Sequence, residues 1–177
     1  MKVIFPILIF FFLAPQKEVE KIAWDEDRKL TWDDFQGAPD RNADFVASTN
    51  SAIHFGYRFT ITNNKVDVDY TVECFFNPKL SWFVPGNVSP YILGHEQIHF
   101  DISELHARIL RKRLERKKFT KNVKSEIETI YRRVDEQKIA MQKKFDAESD
   151  HSRNEKNEMR WRKYIASKLA EHEEWKL

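Results

Sequence analysis

The sequence predicts an α+β domain in which a small antiparallel β-sheet packs on a long antiparallel helical hairpin, with one more helix at the C-terminus. Three observations predict it. Apolar and polar residues alternate on both sides of Asn63-Asn64, which is the pattern of a hairpin with one buried face. Beyond residue 89, two long stretches carry apolar residues at helical spacing. Only 4 of the 177 residues are Gly while 14 are Phe, 5 Trp and 5 Tyr, enough apolar bulk for one core and too little length for a second domain.

Taken in order, Met1-Lys2 precedes an apolar run from Val3 to Ala14, followed by polar Gln16-Lys17-Glu18. A membrane-spanning helix needs about 20 apolar residues, and this run is shorter. Residues 1–16 therefore read as an export signal and 17–177 as a single domain, secreted or periplasmic, with membrane association only if the signal is retained. No Cys near the end of the run offers a lipid attachment point. The one cysteine, Cys74, excludes an internal disulfide and a multi-cysteine metal site, so any metal must be held by His and carboxylates. The 30 basic and 28 acidic residues are interleaved, and no basic block points to nucleic acid.

The segment Leu30-Thr31-Trp32-Asp33-Asp34-Phe35-Gln36-Gly37-Ala38-Pro39 mixes aromatic and turn residues and is expected to pack across the sheet or helices. Tyr57, Phe59 and Ile61 then alternate with polar residues, as do Val66, Val68, Tyr70 and Val72. The character changes near Pro85-Gly86-Asn87. Ser89 is a capping residue, Pro90 suits only the first helical turn, and no Pro interrupts Tyr91 to about Lys118. Ile98, Ile102, Leu105 and Ile109 form the core stripe of this helix, and Glu104 and Arg108 pair on the opposite side. After Phe119-Thr120-Lys121, the apolar positions Val123, Ile127, Ile130, Val134, Met141 and Phe145 mark an antiparallel second helix. Ser152 with Glu155 reads as a capping box opening a third helix that carries Trp161, Ile165 and Leu169.

The first helix holds His95-Glu96-Gln97-Ile98-His99, an HExxH pattern. Residues four apart lie about one turn apart on one face, so both imidazoles can reach one zinc ion. Glu96 lies about 100° around the axis, placed to take a proton from a water activated by the metal. Zinc also polarises the carbonyl that such a water attacks, and an amide is the usual target.

A third protein ligand is needed. His106 lies seven residues beyond His99, about 10 Å along the axis, too far for the same ion, and reads as a polar residue packed between helices. His54 and His172 have no neighbouring pattern that favours ligation. Reflecting the motif through the turn near Phe119-Thr120 brings residues around 140–144 beside it, just ahead of Phe145-Asp146-Ala147-Glu148-Ser149-Asp150-His151. His151 is the expected third ligand, because the chain can curl back over the site ahead of the third helix. Asp146, nearer the reflected register, and Glu148, on the inner stripe, are the alternatives, and those not ligating would orient the imidazoles.

The run from Leu93 to Arg108 resembles a bacterial family known as domain of unknown function 922, whose signature HEQ-x-HFDI-x-E-L-x-AR it meets almost in full. Leu30 to Gly37, Ser81-Trp82 and Phe145-Asp146-x-Glu148-x-x-His151 look like its other landmarks. The family pattern there resembles Tyr-Asp-x-Glu-Thr-x-His-Gly, and this chain carries Phe145, Ser149 and Ser152 at the variable points. The resemblance implies a secreted zinc-dependent protease.

The expectation is thus a zincin-like α+β domain, a zinc-dependent metallopeptidase acting on a protein or peptide, with Glu96 as base and His95, His99 and His151 as ligands. Asp101, Glu104 and Arg108 are expected to brace the far side of the helix. The hairpin ahead of the motif offers a sheet edge to an extended peptide. The competing expectation is a non-catalytic cell-envelope binding protein with a structural metal or none.

Overall fold

The computed structural model describes residues 21–177, and the expected signal, residues 1–16, lies outside them. Strands Ser51–Thr62 (β3) and Lys65–Phe76 (β4) form the hairpin, longer at its base than the alternation alone marks, with Ile22–Ala23 (β1) added to the far side of β4. Asn63 and Asn64 both take positive φ, 51° and 62°, as a tight two-residue turn between right-twisted strands requires. A second, two-stranded sheet pairs Ala47–Ser48 (β2) with Trp82–Phe83 (β5).

The alternation is rewarded unevenly along the hairpin. Ile53, Val72, Cys74 and Phe76 at its base are buried in the core, whereas Phe59 and Ile61 near the turn are exposed. The hairpin packs on the long helix Pro90–Arg116 (α1). Leu30 and Phe35 insert beside Phe76 and Phe100, which fulfils the expectation that the Leu30–Pro39 segment crosses the sheet and helices. There Gly37 donates its N–H to Ser81 O at 2.7 Å, and a Cβ on it would stand 2.8 Å from that oxygen.

Ser89 caps α1 by accepting from Ile92 N, with Pro90 in the first turn. The antiparallel partner is Val123–Ser149 (α2), and the last helix is Glu155–Glu171 (α3). The cap of α3 is Asn154, whose side chain accepts from Asn157 N, and not Ser152. The reason is local: Asp150, His151 and Ser152 all take left-handed φ between 48° and 69°, so the chain turns sharply after α2 and the helix starts later.

α1 is the central element, packed against β3 and β4 on one side and against α2 and α3 on the others. It therefore has no solvated face, and this corrects the expectation for Glu104 and Arg108. They pair, Arg108 Nε to Glu104 Oε1 at 3.0 Å, but both are buried. Arg111 joins them at 3.1 Å and donates to Val72 O and Trp175 O, while Arg108 also donates to Leu169 O and Glu173. The network ties the sheet and the C-terminal turn to α1. Asp101 likewise braces, accepting from Trp24 Nε1 and Gln97 Nε2, each at 2.8 Å, and Gln97 Oε1 accepts from Leu30 N. The N-terminal segment is pinned to α1 by these motif residues.

Candidate metal centre

One turn of α1 carries His95 and His99 to the same edge of the helix, and their Nε2 atoms stand 3.2 Å apart. Asp146, in the last turn of α2, faces them: its Oδ1 is 2.9 Å from His99 Nε2 and 3.4 Å from His95 Nε2. Zinc held at about 2.0–2.1 Å by tetrahedrally arranged ligands separates neighbouring ligand atoms by roughly 3.4 Å. The observed triangle has that size, and among the described residues these three form the His and carboxylate group able to hold a metal ion.

Each ring is fixed from behind. His99 Nδ1 pairs with Gln142 Oε1, and Gln142 Nε2 returns a bond to His99 O at 2.9 Å. His95 Nδ1 lies 3.3 Å from Glu158 Oε2, a carboxylate of α3 that is wholly buried. With Nδ1 as the donor on each neutral ring, the Nε2 lone pairs face the Asp146 side of the cleft, the tautomer a metal needs. Phe145 stacks on His95 at 4.4 Å and meets the edge of His99 at 5.1 Å, so the floor beneath the rings is apolar.

The charges answer one another. Burial opposes a proton on His95, but hydrogen bonds to Asp146 and Glu158 and the nearby charge of Glu96 outweigh it and lift the imidazolium to about 9. Burial also opposes the charge on Asp146, and the two imidazoles overcome it and hold the carboxyl well below the usual range. An imidazole faced by one carboxylate on each ring nitrogen, as His95 is, attracts a cation, whether a proton or a metal.

The trio opens on a cleft of about 370 Å³, walled by residues 44–49 and by Ile92, Asn87, Ser152 and Arg153. Thr49 Oγ1 donates to Glu96 O at 3.2 Å and so holds that wall against α1. Glu96 lines the cleft with its side chain buried, and its Oε2 has no hydrogen-bond partner. An unsatisfied buried acceptor costs about 1–3 kcal/mol. In this position it suits a group that receives a proton from a molecule in the cleft.

The residues expected from sequence thus separate. His95, His99 and Glu96 converge, and Asp146 stands where a third ligand belongs. His151 is not part of the compact trio: its Nδ1 is 3.9 Å from Asp146 Oδ1, and its ring is half-exposed against Phe45, which stacks in turn on Trp82. The left-handed turn that ends α2 carries it to the cleft rim. Glu148 points away, accepting from Trp161 Nε1 and pairing with Lys144. His106 is buried, bound through Nδ1 to Ile102 O, and His54 is exposed on β3. Gln142 and Glu158 were not anticipated. Gln142 lies in the reflected register 140–144, and Glu158 shares a face with Trp161 and Ile165, a carboxylate on an apolar stripe.

Residues 27–152 match the family described as Bacterial protein of unknown function (DUF922). The chain belongs to this family. The DUF922 match takes in strands β2 to β5, α1 and α2 with the whole trio, while β1 and α3 lie outside it. No curated protein and no solved structure matches the chain.

Proposed function

We propose that this DUF922 protein is an exported zinc-dependent hydrolase that cleaves peptide bonds. The observation that carries the reading is a metal-sized triangle of His95, His99 and Asp146 beside the unpartnered carboxylate of Glu96 in one cleft. The donor set, two imidazole nitrogens and a carboxylate oxygen with no thiolate, suits catalytic zinc with an open position better than a closed structural site. Bound there, zinc supplies Lewis acidity toward a carbonyl oxygen and toward water. Glu96 is the base: it accepts a proton from water in the cleft and later delivers it to the departing amine nitrogen. Gln142 and Glu158 hold the imidazoles in place from behind, and Phe145 keeps the floor dry.

A peptide fits the wall. β2 pairs with β5 along one edge, and residues 44–49 run beside the trio, so their backbone offers an extended chain N–H and C=O partners. The apolar run Val3 to Ala14 supports export, and a zincin-like active site is part of this same reading.

The test is metal analysis of the purified protein together with cleavage of casein or a mixed peptide library by the parent and by Glu96→Gln. Stoichiometric zinc in both, with cleavage only in the parent, is the expected result. Zinc without cleavage of any peptide would leave a binding protein with a structural metal, and absence of zinc would remove the centre altogether.

A further inference from the structure

We infer that α3 is a working part of the metal centre, through a Glu158–Arg162 clamp that positions His95 and lies against the bare backbone of Gly94. The inference rests on the metal reading above.

HExxH spacing brings two imidazoles to one side of a helix but leaves each ring free to rotate and to keep its proton on either nitrogen. Glu158 removes both freedoms for His95 by accepting from Nδ1. A wholly buried carboxylate needs compensation of its own. Arg162 supplies Nε–H at 3.1 Å and Nη2–H at 2.5 Å to Glu158 Oε1. The same Nη2 donates to Tyr91 O at 2.9 Å, and the guanidinium lies 5.1 Å over the Tyr91 ring.

Arg162 thus lies flat across α1, directly over Gly94. A Cβ at residue 94 would stand 2.5 Å from both terminal nitrogens of Arg162 and 2.7 Å from its central carbon. Gly94 sits within a helix, where glycine costs about 1 kcal/mol relative to alanine. What it provides is room for the guanidinium, which a Cβ would displace, and not backbone freedom. The residue just before the motif, the carboxylate behind its first histidine and the arginine between them form one mechanical unit. Glu158 and Arg162 act through His95 and are positioning residues.

The experiment uses the full domain as Gly94→Ala, Glu158→Gln and the double variant. Zinc affinity is read by competition with a chromophoric chelator, the Co²⁺ absorption spectrum reports coordination, and thermal melting of the metal-free protein reports folding. Loss of one such outer partner lowers metal affinity by roughly 10- to 100-fold. Each single variant is expected to show that loss with an altered Co²⁺ spectrum. The double variant should be no weaker than the worse single one, because both changes break the same clamp.

Zinc affinity within threefold of the parent in both single variants overturns the inference and leaves the metal reading standing. A parent that binds no zinc overturns both. Histidine side-chain ¹⁵N spectra of the zinc-loaded parent give a check that needs no variant: a proton on Nδ1 of His95 is expected, and a proton on Nε2 refutes the clamp.

Discussion

Replacing Asp146 and His151 separately decides which of the two completes the metal centre. Asp146 Oδ1 stands 2.9 and 3.4 Å from the two Nε2 atoms, within a metal-sized triangle, whereas His151 reaches only to 3.9 Å of that oxygen from a half-exposed rim position. Zinc sites with four protein ligands carry about 10–16 kcal/mol of apparent binding energy near neutral pH, roughly 2.5–4 kcal/mol per ligand. Asp146→Ala is therefore expected to weaken zinc on the order of 10²- to 10³-fold. His151→Ala is expected to stay within threefold of the parent in zinc affinity and to lower peptide turnover, since its ring lines the substrate cleft. The assay is zinc competition against a chromophoric chelator, at fixed pH because protons compete for the same nitrogens. Equal losses in the two variants, or a larger loss in His151→Ala, would refute the assignment of Asp146.

Two other outcomes follow from the packing around α1. Glu104→Ala strips the carboxylate from two buried guanidinium groups, Arg108 and Arg111. Breaking a buried pair costs about 3–5 kcal/mol, which at about 2–4 °C per kcal/mol lowers Tm by on the order of 10 °C; a drop under 2 °C in calorimetry would show that water reaches the arginines. His106 titrates below its ordinary 6.5, first because it is buried and then because Lys138 and Arg113 lie near, with the bond to Ile102 O opposing. Its neutral form contributes stability that is complete above pH 6.5 and is lost as pH falls from there toward the lower folded value, because the unfolded chain takes the proton first. Denaturant titrations of His106→Gln should show a shallower loss between pH 7 and 5 than the parent, and parallel curves would contradict this.

Features set by a few neighbouring residues were legible in the sequence. The left-handed Asn63-Asn64 turn, the Ser89 cap with Pro90, the lengths of α1 and α2 and the shared edge of His95 and His99 all follow from local spacing and side-chain chemistry. Features that depend on what lies across from a residue were not. Spacing on α1 shows Glu104 and Arg108 four apart but cannot show that α2, α3 and the sheet enclose every face of that helix. Ser152 and Asn154 are both good caps, and the left-handed turn after Ser149 chose between them.

The sequence by itself determined an HExxH helix, a hairpin of helices around it and a short list for the third ligand, because helical periodicity is a property of the chain alone. The register between α1 and α2 brings Asp146, and not His151, into the compact group with His95 and His99, and the docking of α3 places Glu158 behind His95. Both are long-range relations between elements far apart in sequence, which local spacing does not encode.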